Sequence, residues 1–172
     1  MTTFFRVPSL DLEATEIETL AFLGEFLRYM QPELIVEAGT WRGHFASLAA
    51  QMCPESEIHT ADVKHWDDDK PQHPNLHYHI CDFEEMLPKL PKSVDFAFID
   101  SGPVDFENIK EHEHFIRFRH WRACKKYLSR GGYMACHDMI NDDWAGADVI
   151  KEESGLYLPA GRGLCIWQKP RY

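Results

Sequence analysis

The sequence predicts an α/β protein in which a largely parallel sheet carries helices on both faces. Short apolar runs of strand length alternate with stretches whose apolar residues recur at helical spacing. Such alternation is typical of parallel strands joined by helical crossovers. With 172 residues, 44% hydrophobic and 13% aromatic, the chain has enough apolar side chains for one packed core and too little length for two full domains.

Each predicted element follows from its local pattern. Short apolar runs that end on a turn signal or an acidic residue predict five strands: Leu34–Ala38, Glu57–Asp62, His77–Cys81, Val94–Ile99 and Tyr133–Cys136. Helical spacing, with Pro or Gly where it stops, predicts five helices: Leu12–Met30, Phe45–Met52, Phe83–Leu87, Phe106–Leu128 and Asp142–Glu153. We expect Gly131-Gly132 to cap the long fourth helix. Two last strands, Leu156–Leu158 and Leu164–Trp167, should form a hairpin around residues 159–163.

Charge and composition exclude several function classes. The chain has 18 Lys+Arg against 28 Asp+Glu, a net charge of −10, so nucleic-acid phosphates would repel it. No apolar run approaches the roughly 20 residues that span a bilayer, and residues 1–10 lack the layout of a signal peptide. We therefore expect a cytoplasmic protein that binds neither nucleic acid nor membrane. Its five widely spaced cysteines form no C-x-x-C pair, which predicts reduced thiols without a disulfide framework.

Acidic residues end most of the predicted strands. Ligands of an open parallel sheet bind outside the carboxyl ends of its strands. The strand-end residues are therefore the candidate site residues: Glu37, Gly39, Asp62, Asp82, Asp100, His137 and Asp138.

The turn after the first strand reads Glu-Ala-Gly-Thr-Trp-Arg-Gly from Glu37 to Gly43. Gly39 permits a tight turn, and backbone N–H groups at the following helix start can meet a carboxylate or another polar group. An ordinary strand–helix turn is the alternative, because Trp41 stands where G-x-G-x-x-G has its middle glycine.

Two further strand ends fit an adenosine. Asp62 lies 25 residues after Glu37 and can accept hydrogen bonds from ribose hydroxyls. Asp82 can take an adenine amino group, with Phe83 supplying a contact to the ring edge. Helix capping is the alternative for each aspartate. In combination and in this order, the residues describe an adenosine-binding rim.

The motifs together resemble those of class I S-adenosylmethionine-dependent methyltransferases, most closely a small O-methyltransferase-like group with Glu-x-Gly-Thr-x-x-Gly and a late His-Asp. The matching segments are Val36–Gly43, Thr60–Asp62, Cys81–Phe83, Val94–Asp100, Gly131–Asp138 and Gly161–Leu164. The resemblance implies a Rossmann-like three-layer sandwich with a seven-stranded, mostly parallel sheet of order 3-2-1-4-5-7-6 and a C-terminal antiparallel hairpin. It covers about residues 12–168, so we expect a single domain over 1–172 with an N-terminal arm over 1–11.

The same resemblance implies S-adenosylmethionine as the cofactor. Glu37 and Gly39 would lie along its methionine part, Asp62 would hold the ribose, and Asp82 with Phe83 the adenine. The full set of predicted cofactor-binding residues is Glu37, Gly39, Thr40, Trp41, Gly43, Asp62, Val63, Asp82, Phe83 and Asp100.

Asp100, His137 and Asp138 are the predicted catalytic residues. In metal-dependent O-methyltransferases, carboxylates at these strand ends bind a divalent ion. The predicted Mg²⁺ ligands are therefore Asp100, Asp138 and Asn141, with Asp142 or Asp143 as alternatives to Asn141. The alternative is that Asp138 and Asn141 only cap the next helix. His137 is the other candidate base, because an imidazole suits proton removal at neutral pH. The Asp-Gly-x-His that often follows strand four in this group is absent, because the chain reads Asp-Ser-Gly-Pro from Asp100.

The sequence thus predicts methyl transfer from S-adenosylmethionine to a small molecule, with a hydroxyl oxygen favoured as acceptor. The alternatives are the same fold and cofactor pocket with different chemistry, or a non-catalytic nucleotide-binding module. A homodimer could form through one face of the long helix, where aromatic residues lie among arginines: Phe115, Phe118, Arg119 and Arg122. The alternatives are an anionic ligand at this face, a bend in the helix, or a neighbouring segment that covers these aromatics. His77 and His79 share one strand face, and we interpret them as structural, since no Cys or Asp lies at ligand spacing.

Overall fold

The structure is a computed structural model that describes residues 17–66, 70–102, 109–139, 147–159 and 161–172. For residues 109–115 it describes the backbone but not the side chains. The predicted N-terminal arm therefore lies outside the described residues. No helix within these ranges is both long and apolar enough to cross a membrane.

Seven strands form one sheet in the order β3-β2-β1-β4-β5-β7-β6, which confirms the predicted order. They are β1 Leu34–Ala38, β2 Glu57–Asp62, β3 Leu76–Ile80, β4 Val94–Ile99, β5 Leu128–His137, β6 Leu156–Leu158 and β7 Leu164–Gln168. Neighbours among β1 to β5 pair in parallel. β7 runs antiparallel to both β5 and β6, as the predicted hairpin requires.

Helices cover both faces of the sheet and enclose two apolar clusters. The helices are α1 Ile17–Met30, α2 His44–Met52, α3 Phe83–Met86, α4 Ile109–Tyr127 and α5 Ala147–Glu153, with a 3-10 turn at Leu87–Lys89. α1 and α2 supply the first cluster, for example through Leu23 and Phe45. α3, α4 and α5 supply the second, which contains the fully buried Trp121. The three-layer arrangement is the one predicted.

The prediction that Gly131-Gly132 cap the long helix is wrong. α4 ends at Tyr127, β5 begins at Leu128, and both glycines lie inside β5. A Cβ on Gly132 would lie only 3.0 Å from the backbone oxygen of Asp95. At the same point the pairing of β4 with β5 is irregular. These glycines therefore allow an irregular, close strand pairing, which is the other structural use of glycine in a strand.

Backbone hydrogen bonds align the carboxyl ends of the central strands. The Asp100 N–H donates to Ala38 O at 2.9 Å, and the Gly39 N–H donates to Ala61 O at 2.9 Å. β4, β1 and β2 therefore stop side by side, and the residues after them share one edge of the sheet.

Candidate functional site

Gly39 lies where the chain after β1 packs against the backbone at the end of β4. Its φ is +95°, and a Cβ there would lie 2.4 Å from the backbone oxygen of Asp100 and 2.9 Å from the Cα of Ser101. Only glycine fits this space, because an added methyl would overlap backbone atoms that cannot rotate away. The turn thus brings the end of β1 directly against the predicted catalytic residue Asp100.

Glu37 is a buried acid beneath this turn. It is 2% exposed and accepts a 2.5 Å hydrogen bond from the Thr60 hydroxyl, which in turn lies 2.6 Å from the hydroxyl of Thr40. Burial raises the pKa of Glu37 well above its usual value, although the Thr60 hydrogen bond acts against this. Thr60 was not among the predicted site residues, although it belongs to the Thr60–Asp62 motif segment.

Asp62 organises the turn through its two carboxylate oxygens. One accepts from the Trp41 N–H at 3.0 Å and the other from the Lys64 N–H at 3.2 Å. The indole rings of Trp41 and Trp66 lie together nearby, with centroids 4.7 Å apart. Val63 is 51% exposed, and Gly43 forms the N-cap of α2.

Three buried nitrogens in the turn after β1 and the loop after β2 have no hydrogen-bond acceptor among the described residues. They are the indole Nε1 atoms of Trp41 and Trp66 and the Nζ of Lys70. Lys70 is 7% exposed, and its Nζ lies 5.3 Å from the centre of the Tyr78 ring. Because buried donors are nearly always satisfied, these atoms need acceptors other than the described residues. Sequence reasoning missed Trp66 and Lys70, which belong to a loop without a motif.

Asp82 is the N-cap of α3, and its carboxylate accepts from the Glu84 N–H at 2.9 Å. It also forms an ion pair with Arg119 and lies 3.5 Å from His120 Nε2. Burial lowers the pKa of His120 to about 4, so Arg119 is the charge beside Asp82 at neutral pH. Burial alone would raise the pKa of Asp82, but the Glu84 hydrogen bond and its cationic neighbours lower it.

Phe83 packs away from this edge. Its ring is 2% exposed in the apolar cluster under α3 and α4, 5.2 Å from the ring of His120. Asp82, by contrast, stays at the edge of the sheet, where it caps α3 and pairs with Arg119.

The three predicted catalytic residues lie together at the ends of β4 and β5. His137 is fully buried, and its Nδ1 lies 3.0 Å from Asp100 Oδ1 and 3.4 Å from Asp138 Oδ1. Asp138 adopts a left-handed φ of +60°. The carboxylates thus fix the orientation of the imidazole, an arrangement suited to a general base. Asn141 lies outside the described residues.

Two arginines complete this cluster. Arg117 Nη2 from α4 lies 2.5 Å from Asp138 Oδ2 and 3.6 Å from Asp100 Oδ1. Arg162 Nε lies 3.0 Å from Asp138 Oδ1. A guanidinium therefore bridges the two carboxylates that were predicted to bind magnesium. Sequence reasoning missed Arg117, because no motif shows which side of α4 faces the strand ends.

The predicted dimer face is partly engaged within the chain. Phe118 packs against the buried cluster, and the Arg122 guanidinium lies 5.7 Å from its ring. Arg119 pairs with Asp82 and Glu84. The side chain of Phe115 lies outside the described residues.

A comparison with family models identifies the family of this chain. The model of a family described as "Methyltransferase domain" matches residues 36–139. No curated protein matches.

Solved structures share the fold at low identity. Cofactor-bound Rv0187 from MTB is 15% identical, with a TM-score of 0.70 over 94% of this chain and 84% of that one. A putative O-methyltransferase from Klebsiella pneumoniae is 16% identical, with a TM-score of 0.67 over 93% and 84%. The O-methyltransferase TomG from Streptomyces achromogenes, in complex with SAM, is 14% identical, with a TM-score of 0.63 over 91% and 82%.

Proposed function

This chain belongs to the methyltransferase domain family, and from that premise we propose that it transfers a methyl group from S-adenosylmethionine to a hydroxyl oxygen of a small molecule. The observation that carries the proposal is the alignment of Glu37, Gly39 and Asp62 along one sheet edge, in the order of the family motif. Structural neighbours described as O-methyltransferases, one of them in complex with SAM, support the cofactor and the oxygen acceptor.

The groups at this edge fit the cofactor chemically. Asp62 has carboxylate oxygens with lone pairs left for two ribose hydroxyls, since each oxygen accepts one backbone hydrogen bond. Glu37 and Gly39 would lie along the methionine part. The buried Nε1 atoms of Trp41 and Trp66 are donors that a polar ligand would satisfy.

At Asp82, an adenine amino group would compete with a side chain of the protein for the same carboxylate. Arg119 already pairs with the Asp82 carboxylate. An adenine amino group would have to share that carboxylate with the guanidinium. Sharing is possible because each carboxylate oxygen has two lone pairs and can accept two hydrogen bonds. Phe83, buried behind it, would support the floor of this part of the pocket.

The bound cofactor supplies a methyl group that its sulfonium has already activated. The chain's own residues then have to align the acceptor and make its oxygen nucleophilic. We assign proton removal to His137, whose ring Asp100 holds at 3.0 Å. Asp138, which Arg117 and Arg162 engage, would shape the acceptor side of the site.

A magnesium ion bound by Asp100 and Asp138 would have to displace Arg117 from these carboxylates. Mg²⁺ needs oxygen ligands at about 2.0–2.1 Å in octahedral geometry. Here Arg117 Nη2 already contacts Asp138 at 2.5 Å and faces Asp100 at 3.6 Å, so the positive charge between the carboxylates is supplied by the protein. The predicted ligand Asn141 lies outside the described residues and stays a prediction.

Binding and turnover test the proposal in sequence. Calorimetric titration with S-adenosylmethionine and with its demethylated product should give one site, and titration with ATP or NAD should give none. A chain that binds a nucleotide instead would be a nucleotide-binding module. If the chain binds the cofactor but methylates no member of a panel of phenols, catechols and other hydroxylated compounds, it uses the cofactor pocket for a different reaction.

Assembly and location stay predictions. Sedimentation equilibrium should give a dimeric mass that Arg122→Glu, on an exposed position of α4, reduces to the monomer. An unchanged mass would remove this face as the dimer interface. The cytoplasmic location can be checked by cell fractionation.

A further inference from the structure

Three histidines and a glutamate lie together on the outer strands β2 and β3. Glu57 and His59 are two residues apart on β2, and His77 and His79 are two apart on β3, so each pair shares one face. The parallel register sets His59 beside His77 and Ala61 beside His79. The sheet therefore supplies the partners that the sequence spacing alone did not indicate.

The side chains of this cluster converge. His59 Nε2 lies 2.8 Å from Glu57 Oε1, and the rings of His59 and His77 stack with centroids 4.8 Å apart. One ligand atom from each of Glu57, His59 and His77 lies within 4.8 Å of the other two. Tetrahedral zinc with bonds of about 2.0–2.2 Å sets its ligands roughly 3.4 Å apart. Small side-chain rotations are therefore enough to close a site.

His79 contacts His59 and lies outside the set of three ligand atoms. Its Nε2 lies 2.9 Å from Nδ1 of His59, on the opposite side of the ring from the Glu57 contact. Metal-ligating histidines usually hold their other ring nitrogen in such a hydrogen bond, which fixes the orientation of the ring. The orienting partner is thus already in place for coordination through Nε2 of His59.

The cluster is separate from the edge where the cofactor is proposed to bind. Asp62 ends β2, and the strand spans about 10 Å from His59 to Asp62 and about 16 Å from Glu57 to Asp62. It is also open to solvent, because His77 is exposed and the Glu57 side chain is 36% exposed. An ion could reach it without passing through the cofactor pocket.

We propose that Glu57, His59 and His77 bind a zinc ion, with His79 as the orienting partner of His59 and water completing a tetrahedral set. Two imidazoles and one carboxylate are typical ligands for zinc, whereas magnesium prefers oxygen alone. The site would tie the edge strand β3 to β2.

Equilibrium dialysis with ZnCl₂, read by metal analysis, tests this on the full chain without a histidine tag. The EDTA-stripped and desalted protein should bind one zinc, and a parallel MgCl₂ dialysis should load nothing at this cluster. His77→Ala and Glu57→Gln should each weaken zinc binding at least tenfold. His79→Ala should weaken it by about 10- to 100-fold, as is usual for an orienting partner.

Two control variants separate this site from other zinc-binding groups. His65→Ala removes an exposed histidine outside the cluster, and Asp138→Asn removes a carboxylate at the strand ends; both should keep wild-type affinity. Cobalt in place of zinc should give the visible absorption of a tetrahedral ion, and His77→Ala should abolish it. If His77→Ala, folded by circular dichroism, binds zinc as tightly as wild type, the assignment is wrong.

Discussion

Replacing Gly39 by alanine should destabilise the chain strongly and disturb the site. The new Cβ would lie 2.4 Å from Asp100 O and 2.8 Å from Asp100 C, far inside van der Waals contact. A non-glycine residue at this positive φ costs about 1–3 kcal/mol, and overpacking against backbone costs about 1–3 kcal/mol more. The free energy of unfolding should therefore fall by about 2–6 kcal/mol. Since the end of β4 must move to relieve the clash, Asp100 and its contact with His137 should shift as well.

Urea denaturation followed by circular dichroism measures this loss. With a slope of about 2 kcal/mol/M, the midpoint should fall by about 1–3 M at unchanged slope. Gly155→Ala is the matched control, because no heavy atom lies within 4 Å of its added Cβ and its φ is not left-handed. It should change stability by less than about 0.5 kcal/mol. If Gly39→Ala loses no more than this control, the close approach of β1 to β4 does not exist as described.

Three further predictions concern charge at the site. Burial raises the pKa of Glu37, so the folded chain keeps a proton that the unfolded chain releases once the pH exceeds the usual glutamate range. Wild-type stability should therefore fall as pH rises from there towards the raised pKa, and Glu37→Gln should flatten this fall in denaturant melts at pH 4 to 8. Asp62→Ala should weaken binding of the demethylated cofactor product by about 1–3 kcal/mol in calorimetry; equal affinity would refute the ribose role. EDTA should leave the rate of methyl transfer unchanged, whereas Arg117→Ala should lower it. If EDTA abolishes methyl transfer and only Mg²⁺ restores it, the site binds a metal.

The sheet order was predictable because the strand-end motifs occur in one known sequence order. β1, β2 and β4 are short apolar runs whose ends carry Glu37, Asp62 and, just after the strand, Asp100. Each strand lies where this pattern predicts. Parallel strands deliver their carboxyl ends to one edge. The gathering of these acids therefore followed from topology alone.

Contacts that depend on helix rotation and strand register were not predictable in the same way. Arg117 belongs to α4, and its place between Asp100 and Asp138 depends on how that helix sits over the sheet. The pairing of His59 with His77 depends on a register that no local pattern fixes. Gly131-Gly132 matched a helix C-terminus in sequence, and only the irregular pairing of β4 with β5 explains their place in a strand.

Two polar groups are buried near the strand ends where we propose that the cofactor binds, and both lower the stability of the free chain. Glu37 is a carboxyl whose ionisation burial disfavours, and Lys70 is a buried amine without a hydrogen-bond acceptor among the described residues. An unsatisfied buried amine lowers stability by about 1–3 kcal/mol relative to a satisfied one, whereas Glu37 keeps its hydrogen bond from Thr60. The Nζ of Lys70 lies 5.3 Å from the centre of the Tyr78 ring, and the charges of Lys70 and Asp62 both shift the pKa of Glu37. A ligand that satisfies them would recover that free energy, so cofactor binding should raise the melting temperature of wild type more than that of Glu37→Gln.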